Sequence, residues 1–331
     1  MTNHNSSRRA HLGAALALAV PAIAPSIARA QSWPGRPIKL LVGFAPGGGT
    51  DIVSRVLATK LSDILGQQVL VENRSGAAGT IAADMVAKSA ADGYTLLAGH
   101  ANSNAIAPNV MAKVPFDALN DFTPITYIGY TPNVLVVNPT VAAKSVEELV
   151  ALAKSKPGVL TYASSGVGST QHLAGALFNQ ISGTQMTHIP YKGSGQAVVD
   201  LVAGQVNVNF DTLPPVLEHI RAGRLRALAI SSSKRMPQLP DVPTFEEKGI
   251  RGFDVTNWYS LMGPKGLPRE IVSKLDEAMK KALADPDVRA KLEPQGVLIG
   301  GAPTPEAFRE FIRTENAKYA KLTRELNVRA D

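Results

Sequence analysis

Residues 38–51 read Ile38-Lys39-Leu40-Leu41-Val42-Gly43-Phe44-Ala45-Pro46-Gly47-Gly48-Gly49-Thr50-Asp51. The run Ile38–Val42 is short, aliphatic and closed by glycine, which is the pattern of a buried strand. Past the glycines, Ile52, Val53, Val56, Leu57, Leu61, Ile64 and Leu65 recur at helical spacing until Gly66 stops the run. Strand, glycine turn and amphipathic helix together form a βα unit, and the order repeats down the chain. Strand patterns fall at 68–72, 94–98, 133–137, 160–163, 186–189, 206–210 and 225–230, and helical ones at 81–90, 171–181 and 197–202. Ser145 and Glu148 have the spacing of a capping box for a further helix. The C-terminal part is mainly helical, over 270–283, 286–292 and a long run after Thr304-Pro305-Glu306. Repeated βα units predict an α/β protein whose largely parallel sheets are covered by helices on both faces. Crossings near 130 and 230 would make 131–230 one lobe and join 31–130 with 231–331 as the other; two sequential domains fit the pattern equally well.

The chemistry concentrates in the small-residue turns that follow strands. The first, Phe44 to Asp51, holds Gly48, Gly49 and Thr50; Thr50 is the expected N-cap of the next helix. The second is Gly76-Ala77-Ala78-Gly79-Thr80. The third is Ser164-Ser165-Gly166-Val167-Gly168-Ser169-Thr170-Gln171-His172, and the fourth is Tyr191-Lys192-Gly193-Ser194-Gly195. A helix that starts behind such a turn presents free N–H groups and a partial positive charge, a cradle for an anion, although the spacing of the first turn fits a merely tight βα connection equally well. None matches a nucleotide fingerprint: no Lys-Ser/Thr pair follows the first glycines, and Gly166 and Gly168 lack a third glycine. In open α/β sheets the carboxyl ends of strands are where ligands bind, and all four turns lie there.

Few charges occupy these turns, so backbone amides and the hydroxyls of Thr50, Thr80, Ser165, Ser169 and Thr170 are the expected donors. One helix end contributes about 0.3–1 kcal/mol toward an anion, whereas micromolar binding needs about −8 kcal/mol. Several turns must therefore converge on one ligand, which favours two lobes closing on it. For the remaining candidates two readings stay open. Asp51 either faces the ligand or complements the helix dipole. His172 either donates to a carboxylate or packs a helix. Lys192 is the candidate charged contact or a solvated lysine, and Asp211 either orients closing hydrogen bonds or caps the next helix. Trp258 and Tyr259 lie in an apolar run and read as core.

The first thirty residues read as an export signal. Arg8 and Arg9 precede an apolar stretch without acidic residues, and Ala28-Arg29-Ala30 has small residues where a signal peptidase cuts. Removing Arg8, Arg9 and Arg29 lowers the formal charge from +7 to +4. The remaining basic residues are scattered among acidic ones, which gives no support to nucleic-acid binding. No later segment is apolar enough to span a membrane, so the mature chain is expected to be soluble. The absence of cysteine excludes disulfides, thiolate metal sites and cysteine nucleophiles. There is no G-x-S-x-G elbow, H-E-x-x-H or Walker motif, and nothing in the spacing of Ser165, His172 and Asp211 supports a hydrolase triad.

Five segments carry a resemblance: FAPGGGTD (44–51), GAAGTIAADMVAKSAADGYTLL (76–97), YASSGVGSTQHLAGALF (162–178), HIPYKGSGQAVVDLVAGQVNVNFD (188–211) and RALAISSSKRMPQLPDVPTFEEKG (226–249). In this order they resemble the Bug family, the substrate-binding proteins of tripartite tricarboxylate transporters. The resemblance implies a type II periplasmic-binding-protein fold, two α/β lobes with mixed sheets joined by a two-strand hinge, the first lobe being split in sequence. It implies a periplasmic receptor that passes a small organic carboxylate to separate membrane transporter subunits; the chain is expected to be a monomer and to hold no cofactor or metal. A sensor receptor for the same ligands is the alternative. The ligand contacts it implies fall on Phe44–Thr50, Ala77, Ala78, Gly79 and Thr80 in one lobe, and on Ser164–Thr170, Lys192 and Gly193 in the other. The second turn has fewer glycines than is usual in the family, and Ala101-Asn102-Ser103-Asn104 replaces a Gly/Thr stretch at the pocket floor.

Overall fold

A computed structural model describes residues 33–329 together with Met1 and Thr2. The export-signal reading falls outside the described residues. The elements run β1 (Ile38–Val42), α1 (Gly49–Leu65), β2 (Val69–Asn73), α2 (Thr80–Ala87), β3 (Thr95–His100), α3 (Ala107–Val110), β4 (Phe122–Val137) and α4 (Val146–Ser155). The order continues β5 (Thr161–Ser164), α5 (Thr170–Ser182), β6 (Thr187–Pro190), α6 (Ser194–Val202), β7 (Val208–Thr212), α7 (Leu213–Arg221) and β8 (Arg226–Ile230). It ends β9 (Thr256–Pro264), α8 (Arg269–Ala284), α9 (Pro286–Leu292), β10 (Leu298–Ile299) and α10 (Pro305–Glu325). Local chemistry sets the ends of these helices. Gly66 terminates α1 in the left-handed region and donates to the Ser62 carbonyl, while the Ser145 and Thr304 hydroxyls accept from Glu148 and Ala307 amides at the starts of α4 and α10.

The strands order as β2-β1-β3-β9-β4-β7-β5-β6. Pairs among β1, β2 and β3, and among β5, β6 and β7, are parallel, as the βα repeats require. The long strands β4 and β9 run antiparallel to their neighbours, so the sheet is mixed. β4 changes partners part-way: Phe122–Pro132 pairs with β9, Asn133–Val137 pairs with β7, and Val134–Val137 pairs with β8 as well. At the change, Asn133 and Ser231 exchange bonds, Ser231 N–H to the Asn133 carbonyl (2.8 Å) and Asn133 N–H to the Ser231 hydroxyl (2.8 Å).

Strand alternation builds a core on each face of each half. Leu40, Leu96 and Leu261 pack with α1 and α8, while Leu41, Leu97 and Met262 pack with Trp258, Phe308 and Tyr319 on the opposite face. In the other half Leu135, Val137 and Phe210 face one way, and Val134, Val136 and Ala163 the other. Phe245, Ile250, Phe253 and Val255 join the Phe178–Phe210 cluster, so the segment before β9 packs with the middle of the chain rather than with β1 to β3. Three stacked phenylalanine rings, Phe210, Phe245 and Phe253, account for that placement.

Candidate functional site

The turns meet where the two halves of the sheet face each other. α1 begins at Gly49 with Gly48 as its N-cap, and Ile52 N–H reaches the Gly48 carbonyl at 3.0 Å. Thr50, expected as the cap, is instead the second helical residue, because the extended Gly48 closes the turn two positions earlier. The first-turn amides thus lack intrahelical acceptors, and the Thr50 side chain is freed to line the cavity. Asp51 points away from the cavity and braces the turn. Its carboxylate accepts from Gly47 N–H, Arg55 and Asn73. Burial acts to raise its pKa, but these bonds outweigh it and hold the group below the ordinary range.

The second turn is strained. Gly76, Ala77, Ala78 and Gly79 all have positive φ (137°, 46°, 53° and 92°), a conformation that costs about 1–2 kcal/mol for each alanine. The Thr80 hydroxyl closes it on the Ala77 carbonyl at 2.9 Å. Across the cleft, a side chain at Gly166 would begin 3.4 Å from the Ala78 nitrogen. In the third turn Ser164 is internal, bonded to His188 and to both backbone groups of Gly166. Ser169 caps α5, Gly168 N–H donates to His172 Nδ1 (3.3 Å), and the His172 ring stacks on His188 with centroids 3.9 Å apart. His172 therefore buttresses the turn.

Contacts between the halves close the cleft. Asn102 Nδ2 donates to the Ser165 hydroxyl (3.2 Å), Thr170 N–H donates to Asn102 Oδ1 (2.9 Å), and the Thr170 hydroxyl bonds Asn257. In the fourth turn a Cβ on Gly193 would lie 2.6 Å from the Ala45 nitrogen, so only glycine permits that approach. Lys192 is exposed and does not reach the converging turns' cavity; it sits with Ala77, Met111 and Tyr191 around a separate open depression of about 550 Å³.

The cavity where the turns converge measures about 20 Å³, room for little more than one water. Its walls are Phe44, Gly48, Gly49, Thr50, His100, Asn102, Asn257 and Tyr259 from one half, and Ser165, Gln171, Ser194 and Thr212 from the other. Depressions of 620 and 710 Å³ elsewhere are larger, but they are open surface grooves away from the converging turns. No ionised side chain lines the cavity. Burial pushes the pKa of His100 down to about 3, leaving it neutral, and pushes that of Tyr259 up to about 12. Asp211 lies one layer behind the wall. It accepts from Ser194 Oγ (2.5 Å), Asn209 Nδ2 (2.8 Å), Thr212 N–H (2.8 Å) and Gln171 Nε2 (3.1 Å), and so aims Ser194 and Gln171.

Of the residues expected from sequence, Phe44, Gly48, Gly49, Thr50 and Ser165 reach the cavity itself. His100, Thr212, Asn257 and Tyr259 were missed, and Asn102, Gln171 and Ser194 lie in stretches quoted from the sequence but were not singled out there. His100 ends a strand and so carried the same positional signal as the glycine turns. Tyr259 lies on an antiparallel strand within an apolar run, and its hydroxyl, 3.0 Å from Thr131 Oγ1, is polar only at its tip.

A family model described as tripartite tricarboxylate transporter family receptor matches residues 53–328. The chain belongs to that family. Its members are substrate-binding receptors, and the chain is accordingly a receptor rather than an enzyme. Protein BugT of Bordetella pertussis (strain Tohama I) is 42% identical over 301 residues, covering 91% of this chain and 92% of BugT. The periplasmic binding protein BugD superposes with a TM-score of 0.87 at 32% identity, over 90% of this chain and 100% of BugD, which places the fold among periplasmic binding proteins. R. palustris Rpa4515, solved with adipate, has a TM-score of 0.86 at 36% identity, over 90% of this chain and 99% of that one. MatC (Rpa3494) from Rhodopseudomonas palustris, with bound malate, has a TM-score of 0.85 at 33% identity, over 88% of this chain and 99% of that one.

Proposed function

We propose that this receptor works in the periplasm as a monomer, closes on a small organic dicarboxylate and presents it to membrane transporter subunits. The observation that carries the reading is a small cavity walled by neutral polar groups from both halves, with the open start of α1 facing into it. One carboxylate docks on the first-turn amides of α1 and the Thr50 hydroxyl. The strained turn at Ala77–Thr80 and the Ser164–Thr170, Lys192-Gly193 turns then complete the enclosure. In this reading Asp51, His172 and Asp211 hold the turns in shape from behind. A cavity of about 20 Å³ cannot hold a four- or six-carbon diacid, so the liganded form must keep the halves further apart than here, turned about the crossings at Pro132-Asn133 and Val255-Thr256. Adipate and malate in the related structures support a dicarboxylate as ligand.

Calorimetric titration of the purified mature protein with succinate, malate and adipate, beside a sugar and a neutral amino acid, tests the reading. Binding of at least one diacid at micromolar strength is expected. Binding of the sugar alone, or of no acid, would overturn it.

A further inference from the structure

His100 belongs to none of the glycine turns, yet it is the least expected part of the cavity wall. It closes β3, is only 4% exposed, and its ring lies between Phe44, met edge-on at 5.1 Å, and Tyr259, tilted against it at 5.5 Å. Its Nδ1 accepts the Asn102 backbone N–H at 3.1 Å. A neutral imidazole carries one proton, and an Nδ1 that accepts leaves that proton on Nε2. The hydrogen bonds of the described residues leave Nε2 without an acceptor, and the ring lines the cavity beside Asn102.

We infer that His100 is a specificity-determining residue of the binding site, a neutral imidazole whose Nε2–H donates a hydrogen bond to a carboxylate oxygen of the bound acid. The inference rests on the dicarboxylate reading above and deepens it. The Asn102 amide sets the tautomer, and the two aromatic walls set the direction of the ring. A buried donor without a partner penalises any ligand that offers no acceptor there, so discrimination comes from an unpaired group rather than from charge attraction. The depressed proton affinity of the ring agrees with a donor that stays neutral.

The test pairs binding with spectroscopy on the full mature chain. Wild type, His100→Phe and His100→Gln are titrated with the diacid that wild type binds best among succinate, malate and adipate. The Phe variant keeps the ring contacts and loses the donor, and its affinity is expected to fall about 10-fold or more. The Gln variant keeps a donor and is expected to lose less. Nitrogen-15 imidazole spectra of wild type report the role directly: the Nε2–H tautomer should be present, and its proton resonance should move downfield when the acid binds. Equal affinity of wild type and His100→Phe, or an Nδ1–H tautomer in the complex, would overturn the role of His100 and leave the receptor reading intact. Failure of wild type to bind any acid would overturn both. If His100→Phe does not fold, the wild-type spectra decide.

Discussion

Asp211 shows how one buried residue shapes a wall it does not touch. Burial raises its pKa, and the bonds from Ser194, Gln171, Thr212 and Asn209 partly offset that cost. Removing the carboxylate would strand those donors in a dry interior. Asp211→Ala is therefore expected to lower unfolding free energy by about 3 kcal/mol in urea titrations, with ligand affinity falling as Ser194 and Gln171 lose their aim. A loss under about 1 kcal/mol would mean that the donors find other partners. Asp51 is its counterpart in the first turn, tied to Gly47, Arg55 and Asn73. In both cases the carboxylate that drew the eye in the sequence supports a turn, and the neutral groups beside it face the cavity.

Among elements, the third turn depends on a pair of stacked histidines. His172 and His188 are parallel to within 6°, with pKa values pushed down by burial to about 4 and about 3, the latter helped by the neighbouring ring. Folded-state values below the ordinary 6.5 mean that the unfolded chain takes up protons first as pH falls. The stabilisation is whole above pH 6.5 and is lost progressively as pH drops toward 4 and then 3. Each such histidine costs about 2 kcal/mol between pH 6.5 and 5. Denaturation at pH 7.5 and 5.0 should show that drop, and His188→Asn should shrink it by about 2 kcal/mol. Asp211 and Glu315, whose pKa values burial raises, act in the opposite sense, but they are common to both proteins and cancel in the comparison. An unchanged pH difference in the variant would remove His188 as the cause.

At the scale of the whole molecule, the closed state depends on backbone meeting backbone. Gly193 stands against Ala45, and Gly195 against the Pro46 carbonyl, across the cleft. Gly193 is extended, with φ 160° and ψ 162°, so a larger residue is free of strain there until the halves approach. Gly193→Val should leave the thermal midpoint of the unliganded protein within a few degrees of wild type while lowering diacid affinity by an order of magnitude or more. Unaltered affinity would show that binding does not require this approach.

The βα order, the positions of most strands and helices, the caps at Gly66, Ser145 and Thr304, and the shortage of charge in the turns were all legible in the residues. These are local properties: periodicity, backbone freedom and side-chain capping act within a few positions of the chain. The placement of residues 236–255 was not, because stacking of Phe245 and Phe253 on Phe210 joins positions far apart in sequence. Nor was the roster of the cavity wall. Whether Tyr259 is core or binding surface, and whether His100 carries its proton on one nitrogen or the other, depends on which strands lie side by side and which amide stands opposite the ring. Sequence by itself determined where the chain turns; tertiary packing alone decided which turns share a cavity and which atoms face it, because burial and hydrogen bonding are set by neighbours in space.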